Sequence, residues 1–380
     1  MTTPIYLDYN ATTPVAPEVA DAMLPFLREH FGNPSSSHPF GRFAAQAVAE
    51  ARNQVAALIG ARAHEIVFTG CATEANNLAL LGVARALGDT KRHLVVSAIE
   101  HPAVMAPALH LQEGGWSLTV VPVDGFGRVS PESIAQALRP DTALVSVMHA
   151  NNEIGTIQAL REIAQITRER GVLLHTDAAQ SAGKIPVDVD TLGVDLLTLA
   201  GHKFYATKGV GALYIRQNTP VRSISFGADH EHGLRPGTEN VPAIVGFGVA
   251  ARLARERLPQ ATRHLRELRD QLHALLIEAI PGLILNGHPD QRLPNTLHVS
   301  FPGTSGRRLL DQASQIVAAS LGSACHSEHD AVSGVLAAIG VDSVRAAGAV
   351  RLSVGTMTTP DEVNRAANGL IEAWRTVASL

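Results

Sequence analysis

Two residues carry the strongest chemical signal in this chain, Lys203 and Asp177. The run Val194-Asp195-Leu196-Leu197-Thr198-Leu199 is apolar enough for a buried strand and breaks at Ala200-Gly201-His202-Lys203. A second run, Val172-Leu173-Leu174-His175, ends at Thr176-Asp177-Ala178-Ala179-Gln180. A lysine and an aspartate, each just past a buried strand, suit pyridoxal phosphate (PLP). The amine would form a Schiff base, and the carboxylate would hold the pyridine nitrogen protonated, making the ring an electron sink. A lysine after a strand is also a common solvated loop residue, so its surroundings decide the matter.

Further motifs sit at other strand ends. Thr69-Gly70-Cys71-Ala72-Thr73-Glu74 joins a strand to a helix through small residues. That is either an anion cup, with free backbone N–H groups and Thr73 as a donor, or an ordinary helix cap. His101, in Glu100-His101-Pro102, is either a ring that stacks on a flat cofactor and moves protons or a satisfied structural histidine. Asn151-Asn152-Glu153 offers amides for a phenolic oxygen or a carboxylate, and Asn pairs are also turn formers. Gly322-Ser323-Ala324-Cys325-His326 puts a thiol in a small polar segment, where a nearby histidine would favour the nucleophilic thiolate. Arg351, inside the apolar run Val350 to Val354, needs an anionic partner. Its planar fork matches a substrate carboxylate or a structural acid equally well.

Positioning these residues requires a sheet. Short apolar runs at Glu65–Phe68, His93–Ser97, Ser117–Val121, Ala143–Val147, Val172–His175, Leu196–Leu199 and Gly211–Ile215 alternate with helical patterns such as Ala72–Leu87 and 160–170. This alternation predicts an α/β fold with a mainly parallel sheet covered on both faces. Ligands of such sheets bind beyond the C-terminal strand ends. A long helical stretch from Ala243 toward Ile280 leads into a smaller α+β unit, with strands at Thr296–Phe301 and Val350–Val354. The domain change is placed inside the long helix near residue 255.

Composition narrows the class. The 380 residues allow two domains with a large core, and 46% hydrophobic with 17% charged residues describes an ordinary globular chain. A net charge of −4 gives no electrostatic reason to expect nucleic acid or an anionic membrane as partner. No secretory signal or membrane-length apolar stretch is visible, so a cytoplasmic location is expected. Two distant cysteines and seventeen scattered histidines without HExxH spacing argue against a disulfide framework and against a metal site.

Taken in order, the motifs resemble the cysteine desulfurase family, NifS/IscS-like enzymes of the class V aminotransferase group. The matches run from Tyr6-Leu7-Asp8-Tyr9-Asn10-Ala11-Thr12-Thr13-Pro14 and Gly32-Asn33-Pro34-Ser35-Ser36 through those above. They include Arg235-Pro236-Gly237-Thr238-Glu239-Asn240, Gly322-Ser323-Ala324-Cys325 and Arg351-Leu352-Ser353. The resemblance implies a fold type I PLP-dependent transferase: a large PLP-binding domain over 15–255 with a mainly parallel seven-stranded sheet, and a small α+β domain from 1–14 and 256–380. It implies that Lys203 carries the cofactor, Asp177 pairs the ring nitrogen, and His101 stacks and moves protons. Ala72, Thr73, Ala200 and His202 would surround the phosphate, with Thr238 reaching it from the other subunit of a homodimer. Gln180 and Asn152 would contact the ring oxygen or the substrate, Arg351 the substrate carboxylate, and Cys325 would accept the sulfur.

The implied reaction converts L-cysteine to L-alanine, leaving a persulfide on Cys325 for an acceptor protein. Iron–sulfur cluster assembly, tRNA thiolation, a biosynthetic sulfur carrier and a selenophosphate-forming partner all fit that acceptor. Two departures stand out: Ala200, where the family often has serine, and Gly227-Ala228-Asp229-His230-Glu231, which has fewer glycines and an added acid. The segments around Cys325 and Arg345–Gly355 are similar to selenocysteine lyases, while Cys71 and Glu100–Val104 are similar to nitrogen-fixation desulfurases. L-Selenocysteine is therefore the alternative substrate.

Overall fold

The computed structural model describes residues 3–322 and 333–378. The chain opens with strand β1 (Ile5–Tyr6) and helices α1 (Pro17–Arg28) and α2 (Pro39–Leu58). The central strands follow: β2 (Ile66–Thr69), β3 (His93–Ser97), β4 (Ser117–Val121), β5 (Thr142–Ser146), β6 (Leu173–Asp177), β7 (Leu196–Ala200) and β8 (Gly211–Ile215). Between them lie α3 (Ala72–Leu87), α4 (Pro102–Glu113), α5 (Pro131–Ala137), α6 (Leu160–Glu169) and α7 (Val189–Leu192). Helix α8 (Val241–Ala279) leads to β9 (Ile284–Leu285), β10 (Thr296–Ser300), α9 (Gly306–Ala313) and β11 (Val317–Ala318). The chain ends with α10 (Gly334–Ala338), α11 (Ser343–Ala347), β12 (Ala349–Ser353) and α12 (Pro360–Ala378).

The seven central strands form one sheet in the order β2-β8-β7-β6-β5-β3-β4. Pairs from β7 through β4 are parallel, and β8 alone runs against its neighbours β2 and β7. The reason is chain length, because the link from Ala200 to Gly211 is too short for a helical crossover and must return as a hairpin. Strand β6 extends past its apolar run because Thr176 and Asp177 keep the ladder with Leu197 and Thr198. Asp177 is thus the last residue of its strand. Gly211 pairs with both Thr69 and Ala200, which sets the ends of β2 and β7 side by side.

Two apolar cores divide α8 between them. Val241 to Leu253 pack with the sheet and with α2, whereas Leu265 to Leu276 pack with β10, β12, α12 and the N-terminal Ile5 and Leu7. The second core surrounds the antiparallel sheet β12-β10-β9. Residues 5–13 form a strap between the cores. Its start pairs in parallel with β11, and Asp8 bridges Ser353 at the end of β12. Beyond that point Thr13 N–H donates to the His202 carbonyl at 3.0 Å, fixing the strap against the end of β7.

Candidate active site

Lys203 ends a single 3-10 turn, Gly201–Lys203, that directly follows β7. Its Nζ donates to the backbone carbonyls of Asn10 at 2.6 Å and Ala11 at 2.8 Å, both on the strap. Burial, helped by the Arg351 cation, pulls the amine down to about 8, against opposing pulls from Asp177 and Asp8. A near-neutral amine held in a cleft is what imine chemistry requires.

Asp177 is buried. Its Oδ2 accepts from Asn76 Nδ2 at 2.8 Å and its Oδ1 from the Ala179 N–H at 2.9 Å. Asn76 projects from α3, so one helix contributes both to this carboxylate and to the turn before it. At the start of that helix Cys71 is the N-cap and provides no side-chain cap. The first helical hydrogen bond goes from Ala75 N–H to the Cys71 carbonyl, leaving the N–H groups of Ala72, Thr73 and Glu74 for another acceptor. The Thr73 hydroxyl, which is exposed, likewise meets no hydrogen-bond partner among the described residues. Gly211 lets β8 run close beneath this turn, since a Cβ there would stand 2.8 Å from the Cys71 carbonyl carbon and 3.0 Å from Ala72 N.

The turn is braced from behind. Glu74 accepts from Gly70 N–H at 2.5 Å and from Arg235 Nε at 2.8 Å. Glu231, in the segment with fewer glycines, is buried against Arg52 at 2.6 Å and accepts the Phe68 N–H of β2 at 2.8 Å. That segment therefore secures the edge strand that feeds the turn.

His101 caps α4, its Nδ1 accepting from Ala103 N–H at 3.1 Å. Desolvation lowers its basicity, with Asp177 opposing and Lys203 reinforcing, which puts all three groups in one neighbourhood. Gln180 donates from Nε2 to the Asn10 carbonyl at 2.9 Å and accepts from Lys184 Nζ at 2.9 Å. His202 Nδ1 pairs with Thr12 Oγ1 at 3.1 Å, and burial beside Lys203 brings its ring down to about 4. Ala200 is a buried strand residue and supplies no hydroxyl. Asn152 enters through its carbonyl, which accepts from Asn10 Nδ2 at 3.2 Å and Arg351 Nη1 at 3.1 Å.

Arg351 lies in the middle of β12, buried, and pairs with Asp8 at 2.7 Å. Thr238 is exposed in the loop before α8 and makes no hydrogen bond to the cleft residues among the described residues. Cys325 lies outside the described residues. The only cysteine among the described residues, Cys71, is the exposed cap of α3. No cluster of three or more metal-ligating side chains occurs among the described residues. No helix among them is long and apolar enough to cross a membrane.

Four contributors went unassigned by sequence reasoning: Asp8, Asn10, Asn76 and Lys184. Asn76 left a trace, as a polar residue on the inner face of an apolar helix. Lys184 stands one turn after Gln180 and is buried without a carboxylate partner among the described residues, so desolvation drives its pKa far below the usual lysine range.

The aminotransferase class-V family model matches residues 5–366. The chain belongs to this family. The class-V chain is 45% identical over 378 residues to cysteine desulfurase IscS of Dictyoglomus turgidum, covering 98% of this chain and 96% of that one. A solved NifS-like protein superimposes with a TM-score of 0.92 at 38% identity, covering all of both chains. A structure titled SspA in complex with cysteine has a TM-score of 0.83 at 35% identity, covering 93% of this chain and 99% of that one. The class-V enzymes of this group depend on PLP, in the type I fold.

The cleft fits that cofactor on its own evidence. An uncapped helix N-terminus suits a phosphate, Asp177 a ring nitrogen, and the buried Lys203 amine an aldehyde. Lys203, Lys184 and Arg351 lie within electrostatic reach of one another, a grouping of basic side chains suited to an anionic ligand.

Proposed function

We propose that this class-V enzyme is a PLP-dependent cysteine desulfurase, converting L-cysteine to L-alanine and passing sulfur to an acceptor protein. The observation that carries the reading is the strap-mediated link between Lys203 and Arg351. An amine site and a carboxylate site held by one segment match the two ends of an α-amino acid. The near full-length identity to a cysteine desulfurase puts cysteine ahead of selenocysteine as substrate.

In this reading the N–H groups of Ala72 and Thr73, together with His202, hold the phosphate. Asp177 holds the ring nitrogen, Gln180 and Asn152 line the ring-oxygen and substrate side, and His101 covers the ring face. Ala200 adds packing in place of a hydroxyl. When bound, PLP supplies the electron sink that lets a Cα proton leave and a Cβ–S bond break. Arg351 binds the substrate carboxylate. Lys203 and His101 hold and return protons at Cα and its neighbourhood, each pushed toward its neutral form by the cleft. The Cys325 thiolate takes the substrate sulfur. In balance, L-cysteine and the enzyme thiol give L-alanine and an enzyme persulfide.

The larger assembly is part of the same proposal. Exposed Leu27, Phe31, Phe40 and Phe226 support a homodimer in which Thr238 reaches the partner's phosphate site. Exposed aromatic side chains in such number favour a covered surface. The change of core along α8 supports a division into 15–255 and 1–14 with 256–380. The location we assign is cytoplasmic, and iron–sulfur cluster assembly is the sulfur destination we favour.

The test is product analysis. Wild-type enzyme given L-cysteine should release alanine and carry a persulfide on Cys325. Cys325→Ala should bind PLP and cysteine yet form no persulfide. Alanine and sulfide release by that variant at the wild-type rate would remove Cys325 from the mechanism, and turnover confined to selenocysteine would reverse the substrate assignment.

A further inference from the structure

Arg351 is already partly occupied. Its Nη2 donates to Asp8 Oδ1 at 2.7 Å, and Nη1 donates to the carbonyls of Asn152 at 3.1 Å and Gly322 at 3.2 Å. The Nε–H is buried and meets no partner among the described residues. A guanidinium offers five donors in a fixed plane, so the open face of this one is its Nε edge.

Asp8 is held in place by its own strap. Ser353 N–H donates to the Leu7 carbonyl at 2.7 Å, Tyr9 N–H to the Ser353 carbonyl at 3.3 Å, and Asn10 N–H to Ser353 Oγ at 2.9 Å. The next residues, Asn10 and Ala11, are the acceptors of the Lys203 amine. The segment that engages the guanidinium also holds the amine, so the separation of the two anchors is set by a short stretch of backbone.

A desolvated, unneutralised arginine attracts any small anion that reaches it. A carboxylate at 2.7 Å cancels most of that long-range pull and leaves only directional hydrogen bonding. A ligand that offers a carboxylate alone then gains little. One that is also anchored through its amine gains enough to stay.

We propose that Asp8 is a specificity-determining residue of this site. It neutralises Arg351 and confines carboxylate recognition to the Nε edge, so a substrate is held only when its α-amine and α-carboxylate are engaged together. Anions without the amine are turned away. The proposal rests on the reading of Arg351 as the carboxylate site.

Asp8→Asn keeps the shape and an acceptor oxygen and removes the charge. The probe is 3-mercaptopropionate, which is cysteine without its amine, used as a competitive inhibitor of the PLP-loaded enzyme. Its inhibition constant is expected to fall about tenfold in Asp8→Asn, and by a clearly larger factor than any fall in KM for L-cysteine, whose carboxylate is already placed by its anchored amine. A second readout needs no cofactor. In the PLP-free full-length chain, the pH midpoint for acylation of Lys203 should move to lower pH in Asp8→Asn. Asp8 and Asp177 act to raise that amine and Arg351 to lower it, and Lys184, His202 and His101 also face it. The variant removes one of the two raising charges.

Arg351→Gln separates the two readings. An unchanged KM for L-cysteine in that variant would overturn the carboxylate site, and Asp8 with it. A raised KM there, with the Asp8→Asn inhibition constant within twofold of wild type, would overturn the Asp8 proposal alone. Asp8→Glu keeps the charge and should keep the wild-type ranking of the two ligands. Loss of that ranking in folded Asp8→Glu would also defeat the proposal, by showing shape and not charge to be at work.

Discussion

Asn76 Nδ2 stands 2.8 Å from Asp177 Oδ2, a buried contact between residues 101 apart in sequence. It ties the helix that begins after Cys71 to the carboxylate that would meet the ring nitrogen. Asn76→Ala leaves a buried carboxylate oxygen without its donor, at a cost of about 1–3 kcal/mol. Thermal unfolding of the PLP-free chain should register that loss. The PLP-loaded variant should also shed cofactor faster on gel filtration, read by its absorbance.

Lys203 gives a pH dependence with a definite sign. Only the neutral amine attacks an aldehyde, and burial beside Arg351 sets this amine at about 8. Uptake of PLP by the PLP-free chain should therefore quicken about tenfold per pH unit as pH rises toward 8, then level off. Stopped-flow absorbance across pH 6 to about 9.5 checks this. A flat profile would show that another step limits uptake.

Glu100 is buried and pushed up to about 8, chiefly by burial and also by Asp177, despite hydrogen bonds from Ser97 Oγ and Met148 N–H. Its second oxygen has no partner among the described residues. Because the folded value lies above the unfolded one, the folded state holds the extra proton between them. The stability so gained is present in acid and is lost as pH rises toward 8, at up to about 1.4 kcal/mol per pH unit. Glu100→Gln, a neutral isostere, should flatten this slope in urea unfolding measured at pH 5.5 and about 8.

Arg52 and Glu231 form a largely buried pair that also secures β2 through Ile66 and Phe68. Arg52→Ala strands a buried carboxylate and should cost about 3–5 kcal/mol. Double removal, Arg52→Met with Glu231→Gln, should recover part of that loss. Equal destabilisation by the single and double variants would mean that the pairing contributes nothing beyond its separate parts.

Most of the sheet could be read from the chain because each strand is a continuous apolar run bounded by breakers. His93–Ser97, Ser117–Val121 and Gly211–Ile215 have the boundaries that the runs imply. Strand direction was not legible in composition, and the reversal of β8 follows from the length of its connection. Lys203 and Asp177 were visible because sheet topology exposes strand ends. Asp8, Asn10 and Lys184 were not, because their importance arises from contacts across 170 residues or more of sequence. Glu231, in the stretch with fewer glycines, likewise shows its role only in the fold, as a buried brace for an edge strand.

The strap has a consequence for how the molecule is made. Ile5 pairs with Val317, and the Leu7 to Asn10 segment is fastened by Ser353. Residues 5–10 therefore wait for partners at Val317 and Ser353, far later in the order of synthesis. Until Ser353 has emerged, the Asn10 and Ala11 carbonyls are held over Lys203 only by such contacts as Gln180 with Asn10 and Thr13 with His202, without the anchor at the end of β12. Full closure of the strap over the Lys203 amine is then a late event, completed after the central sheet has formed.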